Sequence, residues 1–156
     1  SDLMHALIQQ GSAKGLGAGD RSGAAFLYPA PLMCNGQVVT VDLSIGQVPT
    51  NGSDVIRGTN GPDTINALGG DDVVCALGGA DIVDGGWGDD SLFGGSQNDT
   101  IYGRAGRDVA RGQMGNDVLE GNGGDDKVWA GLGHDSCFGG SGNDMQAQCE
   151  VKQSFP

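Results

Sequence analysis

The 156-residue sequence predicts an all-β solenoid, a narrow stack of short strands joined by glycine-rich turns. Three observations predict it. The first is composition: 31 residues are Gly and 20 are acidic, nearly all of them Asp, and both residue types are poor helix formers. The second is the 5% aromatic content, which leaves small aliphatic side chains to build whatever core exists. The third is a period: from residue 54 onward an Asp falls at every ninth position without a gap.

The register covers Asp54, Asp63, Asp72, Asp81, Asp90, Asp99, Asp108, Asp117, Asp126, Asp135 and Asp144. Two residues before each Asp stands a Gly, with Gln97 the exception. Two residues after stands an apolar residue: Ile56, Ile65, Val74, Val83, Leu92, Ile101, Ala110, Leu119, Val128 and Cys137, before Gln146 ends the series. A short strand around the aliphatic residue, followed by a turn that needs positive φ, uses nine residues for half a coil. Eighteen residues then return the chain to the same face one strand spacing higher. The repeats thus predict about five coils, a stack about 25 Å tall, with two inward ladders of Ile, Val and Leu.

Two repeats keep a full six-residue turn, Gly85-Gly86-Trp87-Gly88-Asp89-Asp90 and Gly139-Gly140-Ser141-Gly142-Asn143-Asp144. Others depart at the first two positions, as in Ala67-Leu68 and Gly103-Arg104. This pattern resembles the RTX (repeats-in-toxin, haemolysin-type) calcium-binding family, whose nonapeptide G-G-x-G-x-D-x-U-x builds a parallel β-roll. The resemblance implies that turn carbonyls and the sixth-position Asp are calcium ligands, here the eleven Asp residues of the register. Stacking sets Asp54, Asp72, Asp90, Asp108, Asp126 and Asp144 along one edge and Asp63, Asp81, Asp99, Asp117 and Asp135 along the other. Like charges so arranged repel, and a hard divalent ion taking six or more oxygens removes the repulsion; Ca2+ suits such irregular geometry better than Mg2+. Adjacent pairs give an upper estimate of about nine Ca2+, with affinity in the extracellular range of roughly 0.1–1 mM. Removing calcium is expected to unfold the repeats. For Arg104 and Arg107, beside the turn of Asp108, two readings stand: a guanidinium replacing a calcium as the balancing cation, or a solvated side chain. An Asp and Gly set that merely satisfies turns explains Asx-turns but not the unbroken register.

In chain order, residues 1–33 read as an arm, with Leu3, Met4, Leu7 and Ile8 spaced for a short amphipathic helix ahead of a Gly-rich run. Such an arm suits docking on a neighbouring subunit. Residues 34–51 read as an N-terminal cap, since Val39, Val41, Leu43 and Ile45 alternate with Thr40, Asp42 and Ser44 as in a half-buried strand over 37–46. Residues 52–146 form the calcium-binding roll and 147–156 a C-terminal cap. Four Cys in a small acidic chain suggest disulfides and an oxidising compartment. The economical pairing is Cys34 with Cys75 and Cys137 with Cys149, although four Cys allow three connectivities. The tail around Cys137 and Cys149 also resembles the cysteine-capped ends of secreted bacterial RTX proteins. Phe93, Tyr102, Trp129 and Phe138 fall at outward ninth positions, and Trp87 at a turn tip. They mark either a partner or glycan surface, or a local cover for the roll.

Several functions are excluded. A net charge of −12 is wrong for an electrostatic nucleic-acid binder. Collagen needs Gly at every third position, which is not the pattern here. No run of 18 apolar residues predicts a membrane span, and a first residue that is not Met reads as a processed form or a piece of something longer. No nucleophile constellation or phosphate-cradling motif occurs, and His5 and His134 are the only histidines, so no enzyme is expected. The expected role is a secreted, extracellular or cell-surface bacterial protein, structural and calcium-dependent in folding, self-assembling through its arm or roll ends. The alternative is the calcium-triggered secretion and folding module of a larger exoenzyme or adhesin.

Overall fold

A computed structural model describes residues 32–153. The arm read from residues 1–33 thus lies almost wholly outside the described residues. The rest is a parallel β-solenoid without an α-helix. Among the described residues no helix is long and apolar enough to cross a membrane.

Two parallel sheets face each other. One holds seven strands: β3 (Val41–Asp42), β4 (Val55–Arg57), β6 (Val73–Gly78), β8 (Ser91–Ser96), β10 (Val109–Met114), β12 (Lys127–Leu132) and β14 (Met145–Ala147). The other holds six: β5 (Thr64–Asn66), β7 (Ile82–Trp87), β9 (Thr100–Ala105), β11 (Val118–Gly123), β13 (Ser136–Ser141) and β15 (Val151–Gln153). The register is the eighteen-residue one: Val74 pairs with Leu92, and Ile101 with Leu119. β3 and β15 fall outside the repeats and add a rung to each sheet, so the stack is taller than the repeats alone predict.

The core is the pair of ladders. Val41, Ile56, Val74, Leu92, Ala110 and Val128 come from one sheet and Ile65, Val83, Ile101, Leu119 and Cys137 from the other, all buried. Each rung thus contributes one aliphatic side chain per sheet, and the small buried Ala67, Ala76 and Ala130 fill the turns. The core is only as wide as two facing side chains, so neighbouring rungs must be held together by something besides apolar packing.

The N-terminal end departs from the expected strand over 37–46. Only Val41 and Asp42 join the sheet; β1 (Met33–Cys34) and β2 (Gln37–Val38) pair with each other as an antiparallel hairpin. Leu43–Ile45 turns into a 3-10 helix because the Asp42 carboxylate accepts the Ser44 N–H at 3.0 Å and its hydroxyl at 2.7 Å. That local bond outcompetes the strand ladder and leaves Ile45 at 72% exposure. The hairpin instead covers the outer face, where Cys34 packs with Val73 and Phe93 and is bonded to Cys75. At the other end Cys137, inside the roll, is bonded to Cys149.

The second turn position is left-handed even where Gly is missing, as at Leu68, Leu77, Arg104, Gln113 and Asn122. Gln97, in place of the fourth-position Gly, is left-handed too, at φ 80°. A non-Gly residue there costs roughly 1–2 kcal/mol, partly offset in Gly variants by the more flexible unfolded chain. The exposed Gln97→Gly substitution is therefore expected to raise stability in saturating calcium by up to about 1 kcal/mol, whereas Ile101→Ala, in the core, lowers it by about 2–5 kcal/mol. Denaturant unfolding of the two variants checks both signs.

Candidate metal sites in the turn ladders

The aspartate register becomes two ladders of carboxylates at the edges of the roll. Asp72, Asp81, Asp90, Asp99, Asp108, Asp117, Asp126 and Asp135 are each 1% exposed. The turn preceding each strand points the carboxylate inward, along the stack. Its Oδ1 accepts the backbone N–H of the Asp one coil earlier: Asp54 donates to Asp72, Asp72 to Asp90, Asp90 to Asp108, Asp108 to Asp126 and Asp126 to Asp144. On the other edge Asp63 donates to Asp81, Asp81 to Asp99, Asp99 to Asp117 and Asp117 to Asp135. These bonds, 2.7 to 3.0 Å long, link neighbouring coils edge to edge.

The second carboxylate oxygen has no such partner. Oδ2 of all eight of those residues, from Asp72 to Asp135, is buried without a hydrogen-bond donor. At Asp90, Asp108, Asp117 and Asp126 what faces it is another acceptor. A Cβ placed on Gly103 would lie 2.5 Å from Asp108 Oδ2 and 2.7 Å from the Gly121 carbonyl oxygen of the next coil. The same cradle recurs at Gly121, between Asp126 Oδ2 and the Gly139 carbonyl. Buried acceptors converging with no donor leave a position that only a cation or a proton stabilises. The donors are single carboxylates and backbone carbonyls, and the described residues hold no cluster of three His, Cys, Asp or Glu side chains. All-oxygen donors of this kind fit Ca2+ rather than Zn2+ or a softer metal.

Burial has a direct electrostatic consequence. Without a metal it pushes the carboxyls of Asp90 and Asp99 up to about 7 and those of Asp72 and Asp108 up to about 6, with the neighbouring carboxylates adding to the rise. Asp81, Asp117 and Asp126 are raised for the same reason, burial first.

The two ends of the register differ from its middle. Asp144, in the last turn, is only half-buried. Asp54 and Asp63 satisfy Oδ2 within their own turns. The N–H and hydroxyl of Thr50 donate to Asp54, at 2.7 and 2.9 Å, and those of Thr59 to Asp63, at 2.7 and 3.0 Å.

Neither arginine enters a cradle. Arg104 lies on the sheet face, bonded to Asp84 at 2.6 Å and stacked over Tyr102, while Arg107 meets Asp89 at 2.6 Å in solvent. Asp108 Oδ2 stays without a partner, so neither guanidinium replaces a cation there; both pair instead with carboxylates one coil back. Sequence reasoning missed a second ladder one residue earlier in five of the turns. Asp71, Asp89, Asn98, Asn116 and Asp125 each accept, through Oδ1, the N–H of the residue eighteen positions on. The recurrence of Asp or Asn before the register Asp was the available signal. The outward aromatics divide: Phe93 is covered by the hairpin and, with Trp129, sandwiches Arg111, whereas Trp87 is 76% exposed.

Two parallel sheets closed by turns whose buried carboxylates lack a counter-charge define a cation-held β-roll. Comparison with protein families gives the same answer: the RTX calcium-binding nonapeptide repeat matches residues 49–83, 84–119 and 111–145, more than half of the chain, and the chain belongs to that family. Its nonapeptide repeats bind calcium ions, are typical of secreted bacterial proteins, and are typically non-catalytic. No curated protein and no solved structure matches the chain. When bound, Ca2+ supplies the positive charge that the converging oxygens lack.

The raised carboxyls fix the sign of the pH dependence. A folded-state value near 6–7 against an ordinary 3.8 favours the neutral form in the roll. The metal-free roll is thus stabilised fully below about 3.8 and loses that contribution as pH rises through about 7. Far-UV circular dichroism of calcium-stripped protein is expected to show more β-structure at pH 4.5 than at pH 8. The Asp108→Asn change carries two opposite signs. An amide N–H2 in place of Oδ2 can donate to the Gly121 carbonyl, so the metal-free chain becomes more stable while the bound-calcium count falls by at least one. Thermal melts and metal analysis of the one variant read both.

Proposed function

We propose that this chain is a secreted, structural and non-catalytic protein whose roll is set by calcium and which assembles end to end into an extracellular filament or surface structure. The observation that carries the reading is the open rung at each end. Among the described residues β3 pairs only with β4 and β5 only with β7 at one end, and β15 pairs only with β13 at the other, so these parallel backbone edges carry no further described strand. The two ends are complementary in the head-to-tail sense, because seating a second copy on the last coil repeats the operation that stacks coils within the chain. A heterologous contact of this kind that does not close into a ring makes a filament. Edges of two or three residues are short, which disfavours indiscriminate pairing and leaves room for a second contact to set specificity; residues 1–33 are our choice for it.

In this reading the eleven register carboxylates are the candidate ligands, and calcium acts on assembly by ordering the coils and the last rung that a second copy meets. Electron microscopy of the full chain tests it. Fibres are expected in millimolar calcium and none after chelation; monodisperse particles in both conditions contradict assembly.

A further inference from the structure

The first two turns share a sequence that no later turn repeats, Thr50-Asn51-Gly52-Ser53-Asp54 and Thr59-Asn60-Gly61-Pro62-Asp63. Their chemistry differs accordingly. In later turns the second position is left-handed, and Oδ2 of the Asp meets no donor. In these two the second position is Thr, outside the left-handed set, and its N–H and hydroxyl both point at Oδ2. The Thr Oγ1 in turn accepts the N–H of Gly52 or Gly61, each at 3.1 Å, closing a small ring of bonds inside the turn.

The contrast is sharpest at Asp63, because the cradle itself is present there. A Cβ on Gly58 would lie 2.5 Å from the Ala76 carbonyl oxygen and 2.9 Å from Asp63 Oδ2, the arrangement seen at Gly103. Its carboxylate oxygen is already served by two donors. A cation entering would have to displace both of them, leaving the Thr59 N–H without an acceptor. The N-terminal turns also hold supports that need no metal. The Thr40 hydroxyl accepts the Val55 N–H at 2.8 Å, the Ser53 hydroxyl accepts the Asp71 N–H at 3.1 Å, and the Cys34–Cys75 disulfide ties the hairpin to the rung beyond β4.

From this the structure assigns the first two turns as metal-free: Asp54 and Asp63 are turn-capping residues rather than calcium ligands, and residues 34–63 form a calcium-independent end on which the calcium-dependent coils stack. The assignment rests on the calcium reading of the later turns and narrows it. Pairs beginning with Asp54 or Asp63 drop out, leaving about seven sites in place of about nine. It also gives the roll a polarity. A preformed rung removes the nucleation step for the next coil, so calcium uptake is expected to run from Asp72 toward Asp144.

The test combines metal counting with hydrogen exchange on the full, disulfide-bonded chain. Equilibrium dialysis against calcium should give about seven bound ions for the parent and the same number for the Asp54→Asn/Asp63→Asn variant, but fewer for Asp81→Asn/Asp99→Asn. Exchange read after chelation should leave the amides of Thr50, Gly52, Val55, Thr59 and Gly61 protected while those of residues 82–145 exchange at once. A lower calcium count in the first variant, with its β spectrum intact in calcium, would overturn the assignment. So would first-turn amides of the parent that exchange as fast as the rest, and this result decides alone if the variant does not fold. A parent that binds no calcium would instead overturn the reading on which the assignment stands.

Discussion

Everything in this roll depends on a carboxylate used on one side only. Asp90, Asp108, Asp117 and Asp126 each spend Oδ1 on the N–H of the neighbouring coil and leave Oδ2 facing a carbonyl, acceptor against acceptor. The backbone bond sets the rung spacing, and the unmatched oxygen makes that spacing untenable without positive charge. A buried acceptor with no donor costs on the order of 1–3 kcal/mol, and more when it is ionised. With eight such oxygens in one stack, the deficit is comparable to the whole stability of a small domain, roughly 5–15 kcal/mol. The narrow aliphatic core cannot offset that alone. Metal binding is in this sense part of the folding free energy.

The rest of the molecule is arranged around that constraint. The disulfides anchor flanking segments to the rungs of β6 and β13, one near each end of the stack, and the hairpin of β1 and β2 covers the outer face of the early coils. Left-handed residues such as Leu68 and Gln97 show that the turn geometry is imposed by the stack against local preference. The outer faces have more freedom: Arg111 between Phe93 and Trp129, and Arg104 on Asp84, are cross-rung contacts that stiffen a sheet without touching the turns.

The period carried most of the fold, because a nine-residue register fixes strand, turn and inward face together. Ile56, Val83 and Leu119 lie in the core where the register puts them, and Asp72 to Asp135 line the edges as expected. What the period could not show was anything decided by a single side-chain bond. Asp42 looked like an outward strand residue, yet its bond to Ser44 ends β3 after two residues. Asp54 and Asp63 were indistinguishable from their successors by position, and only the Thr four residues earlier sets them apart. Arg104 and Arg107 were ambiguous because side chains of that length reach either a cradle or solvent, and it is Asp84 and Asp89, one coil back, that draw them outward.

The central claim is that the carboxylate ladders do not stand at neutral pH without calcium. A far-UV circular dichroism titration of the chelated full chain at pH 7.5 tests it most directly. The account predicts a largely unstructured spectrum that converts cooperatively to β as calcium rises through roughly 0.1–1 mM. A full β spectrum that persists in chelator and is indifferent to calcium would contradict it.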